Sequence, residues 1–189
     1  MKIQYFFDPL TFTLTYVVFD EMTKDAVIID PVLDLETASG KLTDQSTQKV
    51  LSFLKEHQLN PHFILETHAH ADHLSSSQLF KKRYPSIKVG ISERIRVVQD
   101  VFKEVFNLKD FRADGSDFDY LIKDNETLSV GSMKILALPT PGHTPACTSF
   151  VIDNNVFTGD ALFMPDYGTG RCDFPMGSAS SLYNSVQLL

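Results

Sequence analysis

Apolar residues recur at two spacings along this chain, and the spacing switches several times. Residues 2–7 and 13–19 are rich in aromatic and β-branched side chains and predict two strands. The polar stretch 21–25 turns the chain into a third strand, residues 26–29, which ends in Asp30-Pro31. Residues 32–43 are mixed and polar and predict a loop. From Asp44 or Ser46 to His57, Val50, Leu51 and Leu54 fall on one helical face. Residues 62–66 form a short apolar run after Asn60-Pro61, which suits a buried strand. Residues 74–84 then read as a helix, with Leu79, Phe80 and Tyr84 at helical spacing and Pro85 just beyond.

The second half continues the alternation. Residues 88–91 predict a strand. Ser92 suits an N-cap for a helix whose Ile95, Val98, Phe102, Val105 and Phe106 make an ordinary core-facing stripe. Residues 107–118 contain Asp114-Gly115 and predict a loop. Residues 120–122, 127–130 and 133–138 predict strands, and 148–152 with 156–158 a hairpin over Asp153-Asn154-Asn155. Residues 162–177 form a long loop whose glycines allow tight backbone approach to a ligand. Residues 178–189 place Leu182, Val186 and Leu189 on one helical face. That helix closes with no glycine, asparagine or cation, so the chain is expected to be a truncated or fragmentary form. Strands interleaved with helices predict an α/β domain.

Composition narrows the partners. With 189 residues and 43% hydrophobic content, one globular domain over 1–189 is expected. A net charge of −7 and a pI near 5.3, with no basic stretch, argue against nucleic acid. No apolar run is long enough for a membrane span, and residues 1–8 lack the features of a signal peptide. Two cysteines, Cys147 and Cys172, fit a reduced cytoplasmic compartment.

The chemistry concentrates in residues 67–73, Thr-His-Ala-His-Ala-Asp-His. Three of the six histidines, His68, His70 and His73, lie there with Asp72, all ligand types that zinc, manganese or non-haem iron accept. As a polar turn, the same stretch would offer Asp72 as a helix N-cap. The cluster follows a predicted strand, where α/β proteins place their sites. Two further strand ends deliver the same residue types: His143 in the stiff turn Pro139-Thr-Pro-Gly-His-Thr-Pro145, and Asp160 in Gly159-Asp-Ala. Asp30 reads equally as a turn residue or as an acid that orients a histidine. Arg171 is the only cation of the 162–177 loop and suits a carboxylate or open solvent. His57 and His62 read as structural.

Three motifs, Thr-His-Ala-His-Ala-Asp-His (67–73), Thr-Pro-Gly-His-Thr (140–144) and Thr-Gly-Asp-Ala-Leu (158–162), together resemble the metallo-β-lactamase superfamily. The resemblance implies a four-layer αβ/βα sandwich. Residues 159–175 and His143-Thr-Pro-Ala-Cys-Thr148 are similar to the persulfide dioxygenase branch, and most to its bacterial β-lactamase-like members. The implied activity is oxidation of the outer sulfur of a glutathione-type persulfide to sulfite with O₂. The implied ligands of one Fe(II) per chain are His68, His143 and Asp160, with His70, Asp72 and His73 orienting ligands or water. Arg171 and Thr144 are implied to contact the substrate. No histidine follows His143, where the superfamily supplies a further ligand. The resemblance therefore implies a domain lacking its C-terminal strand and helix, and a possible homodimer through the uncovered edge. Two other readings stay open: a glyoxalase II-like thioester hydrolase with two zinc or mixed iron and zinc ions, and a non-catalytic metal-binding remnant.

Overall fold

The computed structural model describes residues 1–189, which divide into two compact units. Met1–Glu66, His70–Val89 and Ser129–Met133 form the first; Thr67–Ala69, Gly90–Leu128 and Lys134–Leu189 form the second.

The first unit runs β1 (Lys2–Asp8), β2 (Thr13–Phe19), β3 (Asp25–Ile29), β4 (Val32–Glu36), β5 (Lys41–Thr43), α1 (Gln45–Glu56), β6 (Asn60–Leu65), β7 (Leu74–Ser75) and α2 (Ser77–Arg83). Strands β1, β2 and β3 pair antiparallel, and β3 pairs parallel with β6. Parallel strands covered on both faces read as continuous apolar runs. Ala26 to Ile29, Ile64 and Leu65 are accordingly all fully buried. Helix α1 turns Val50 and Leu54 inward, and each such burial stabilises by about 1.5–3 kcal/mol. Phe53 meets Phe6 and Phe19 edge-on, and His57 lies 4.3 Å from the Phe53 ring.

Residues 32–43, expected to be a loop, hold β4 and β5. Val32 pairs with Ser75 and Leu33 with Leu74, while Leu35 pairs with Leu42. These short strands draw their order from partners distant in sequence, which local composition does not reveal. The ladder also claims Leu74 and Ser75, so α2 starts at Ser77, three residues later than its periodicity suggests. Ser76, not Asp72, occupies its N-cap position.

Strand β8 (Lys88–Ser92) leads into the second unit, which contains α3 (Ile95–Val105), β9 (Tyr120–Ile122), most of β11 (Met133–Pro139), β12 (Thr148–Ile152), β13 (Asn155–Phe157), a 3-10 turn at Gly159–Ala161 and α4 (Ala179–Leu188). Between β9 and β11 the chain forms β10 (Thr127–Val130). Residues 90–92 pair parallel with β9, and β11, β12 and β13 pair antiparallel in that order. Ser92 does not cap α3: Arg94 stands at that position, and Ser92 Oγ accepts the Arg94 amide at 3.2 Å. Ile91, Ile95, Val98 and Ala146 form a buried cluster under α3. Ser178 caps α4 by accepting the Ser181 amide. No helix is long and apolar enough to cross a membrane.

Candidate metal centre

Three loops of the second unit bring His68, His143 and Asp160 together. The Thr148 amide donates to Thr67 O at 2.9 Å, which fixes the start of the His68 loop. Gly142, at φ 143°, turns the chain into His143. Asp160 sits in the 3-10 turn after β13. Both histidines are buried, and Asp160 keeps about a third of its side chain exposed.

The rings share a geometry suited to one cation. His143 Nδ1 lies 2.7 Å from Arg171 O. A carbonyl only accepts, so the ring proton sits on Nδ1 and the Nε2 lone pair is left for a metal. His68 Nδ1 is 3.0 Å from Thr67 Oγ1. The two Nε2 atoms lie 3.9 and 3.5 Å from Asp160 Oδ2, and the rings stand at 88° with centroids 5.0 Å apart. These separations are close to those of neighbouring ligands on one ion with bonds of about 2.0–2.2 Å. All three ligand atoms lie within 4.8 Å of one another. Two imidazoles and one carboxylate are also the donor set that non-haem Fe(II) takes in oxygenases, so these residues fit that ion.

Glycine makes the approach possible at two points. A Cβ on Gly170 would come 2.5 Å from Asp160 O and 3.2 Å from His143 Nδ1. One on Gly159, at φ 50°, would come 2.5 Å from Thr67 Oγ1, the group that holds His68.

A second cluster lies in the first unit. His70 Nε2 is 3.2 Å from Asp30 Oδ1 and 3.6 Å from Glu66 Oε2, and all three side chains are nearly inaccessible. Burial pulls the His70 pKa down, but the charge and hydrogen bond of Asp30, then Glu66, outweigh it and hold the imidazole well above its usual value. Asp30 is aimed by its backbone: φ is 48°, its amide donates to Leu65 O at 3.1 Å, and Thr15 Oγ1 donates to its carbonyl at 2.8 Å. His73 Nδ1 is 3.4 Å from Asp72 Oδ2 and 3.3 Å from Thr13 Oγ1. The His73 hydrogen bond, against partial burial, pulls the Asp72 carboxyl down to about 2. His70, Asp72 and His73 form a second group of ligand type.

The remaining site candidates take other positions. Arg171 forks onto Asp173, Nε at 2.5 Å and Nη2 at 2.8 Å, with its guanidinium over the Phe174 ring. Its carbonyl, rather than its charge, reaches the histidine. Thr144 turns inward: its amide and hydroxyl meet Cys147 Sγ at 3.3 and 3.1 Å. Cys147 and Cys172 are free thiols. His62 bonds Asp25 at 2.5 Å. Sequence reasoning gave no individual role to Glu66 or Thr67; a lone acid closing an apolar strand was the available signal for Glu66. Close backbone approach was expected of the 162–177 glycines as a group, and Gly170 is one that makes it.

Comparison with known proteins points the same way. Residues 8–189 match the model of the metallo-β-lactamase superfamily. The chain is 45% identical over 188 residues to "Glyoxylase B2" of Dictyostelium discoideum, covering 98% of this chain and 64% of that one. It is 34% identical over 182 residues to the mitochondrial persulfide dioxygenase ETHE1 of Bos taurus, covering 95% of this chain and 59% of that one. The crystal structure of ETHE1 from Myxococcus xanthus superposes with a TM-score of 0.78 at 30% identity, covering 99% of this chain and 68% of that one. The chain thus spans about two-thirds or less of the length of these relatives. With an α/β fold shared with solved members and a family match across nearly all its residues, the chain belongs to the metallo-β-lactamase superfamily.

Proposed function

We propose that this chain carries the metal centre of a persulfide dioxygenase, with one Fe(II) held by His68, His143 and Asp160. The reaction is RSSH + O₂ + H₂O → RSH + SO₃²⁻ + 2H⁺: the outer sulfur is oxidised and the thiol released. Iron so held would supply one-electron O₂ chemistry at a site with positions left for O₂ and a sulfur ligand. The protein's own part is positional. Arg171 O and Thr67 Oγ1 hold the imidazoles by Nδ1, and Gly170 lets the 162–177 loop close against them. Fixed partners on the outer nitrogen of a ligating histidine set its orientation and basicity.

The observation that carries this reading is the donor set itself: two imidazoles and one carboxylate, with His70 engaged by Asp30 and Glu66 instead. The name of the Bos taurus relative supports it. On this reading Arg171 offers a substrate carboxylate the guanidinium N–H groups that Asp173 leaves open.

A second reading has its own support. The His70, Asp72 and His73 group offers donors for a second ion, and the Dictyostelium relative is named a glyoxylase. Two metals would suit thioester hydrolysis by a metal-activated hydroxide. Metal analysis of anaerobically purified protein, with O₂ uptake on glutathione persulfide, decides between them. One iron per chain with persulfide-dependent O₂ uptake is the expected result. Two metal ions with hydrolysis of an S-acylglutathione and no O₂ uptake would establish the hydrolase, and metal binding with neither activity a non-catalytic domain.

A further inference from the structure

The second unit holds an apolar groove of about 320 Å³ that the proposed metal centre does not use. Ile95, Val98 and Phe102 of α3 form one wall, and Leu108, Phe111 and Phe118 of the following loop form the other. The polar lining is largely engaged. Gln99 donates from Nε2 to Asp117 at 3.0 Å and accepts the Gly115 amide at 2.8 Å. Lys103 is the one cation among the lining residues.

The groove adjoins the proposed ligands along the chain. Ala69 lines it, and Ala69 is peptide-bonded to His68. Ala146, three residues after His143, packs under the same face of α3. Ile95 and Lys103 are eight residues apart on α3, which is roughly 12 Å along the axis. The volume falls at the lower end of the roughly 300–1,000 Å³ typical of ligand pockets. It has room for about ten water-sized groups at ~30 Å³ each.

We propose that this groove receives an apolar alkyl or aryl arm carried on the sulfur of the substrate, with an acidic group of that arm set against Lys103. This rests on the reading of His68, His143 and Asp160 as the sulfur site and narrows its substrate class. Glutathione, with two carboxylates and an ammonium, matches six apolar side chains poorly. A persulfide on a medium-length alkyl or aryl thiol acid matches the groove in size, polarity and charge.

Binding of butanoate, hexanoate and octanoate, measured by calorimetry, tests the groove without turnover. Affinity rises along the series, by up to about fourfold for each methylene that enters. Leu108 is 44% exposed, so Leu108→Glu leaves the core intact while placing a charge in the groove; it weakens octanoate at least tenfold. Lys103→Met reduces the preference for octanoate over octanol. Absence of binding, affinity independent of chain length, or octanoate binding unchanged by Leu108→Glu overturns the proposal. A final comparison of kcat/KM for an alkyl-thiol persulfide and glutathione persulfide reads O₂ uptake. If neither supports uptake while octanoate binds with the stated chain-length dependence, the dioxygenase reading fails and the groove stands. If glutathione persulfide is turned over and octanoate does not bind, the groove proposal fails and the dioxygenase stands.

Discussion

His143 donates its Nδ1 proton to the backbone carbonyl of Arg171, 2.7 Å away and 28 positions later in the chain. The imidazole is therefore held by a loop that can only lie this close because residue 170 has no side chain. The Gly170 amide donates to Asp160 O at 3.0 Å, so one glycine touches two of the three proposed ligands. Gly170→Ala is expected to displace both while leaving α3, α4 and the strands folded. Iron affinity should fall about 10–100-fold, the usual effect of losing an outer partner of a ligating histidine. Competition against a chelator of known affinity measures this, with circular dichroism confirming the fold.

Thr67 makes the same kind of argument for His68. Its hydroxyl is 3.0 Å from His68 Nδ1, and it is almost wholly buried. Thr67→Val keeps the shape and removes the oxygen. Metal affinity is expected to drop by about 10-fold or more, with a stability loss near 1 kcal/mol from one hydrogen bond. An unchanged affinity in the same chelator assay would show that the hydroxyl does not orient the ring.

Much of this arrangement was legible in the sequence, and the rest was hidden for definable reasons. His68, His143 and Asp160 each follow a strand that its apolar pattern announces, so their delivery to loops could be read directly. Strand β2 matches its predicted span, because β-branched and aromatic runs report burial locally. Strands β4 and β7 could not be read this way: Leu33 finds Leu74 only through the fold. For Asp30 the sequence allowed an acid that orients a histidine, but did not show that the partner is His70. That partnership requires a left-handed backbone at a non-glycine residue, φ 48° at Asp30, which surrounding hydrogen bonds impose and sequence does not signal. The Arg171 side chain was expected to seek a substrate acid, while an aspartate two residues on lay within its own reach.

His70 supplies a prediction in pH. Its imidazole is held well above the usual histidine value because Asp30 and Glu66 outweigh the effect of burial. An unfolded histidine titrates near 6.5. The charged pair therefore stabilises the fold fully below about pH 6.5 and loses that contribution as pH rises through the raised native value. The thermal midpoint of metal-free protein is expected to decline on the alkaline side, and His70→Gln should flatten that decline. Thermal melts from pH 6 to pH 10 on both proteins measure the difference. Parallel curves would mean that His70 does not carry its proton in the folded state.

The turn carrying His143 rests on α4. The Ser178 amide donates to Gly142 O at 2.8 Å, and Ser185 Oγ donates to Pro141 O at 2.8 Å. Gly142 itself lies so close to Leu182 that a Cβ would overlap that residue's backbone nitrogen and Cα, atoms of a helix that cannot step aside singly. Its φ of 143° adds strain for any other residue. Gly142→Ala is expected to cost at least about 2 kcal/mol, a fall of roughly 4–8 °C in Tm. Because the displaced segment carries His143, metal affinity should fall with it. Ser185→Ala removes only the bond to Pro141 and should cost about 1 kcal/mol, with a smaller loss of affinity in the same direction. Stability and affinity falling in the same rank order across the two variants would identify α4 as the support of the proposed ligand. A Gly142→Ala protein that loses stability but binds iron as before would show that the His143 turn keeps its shape without the helix behind it.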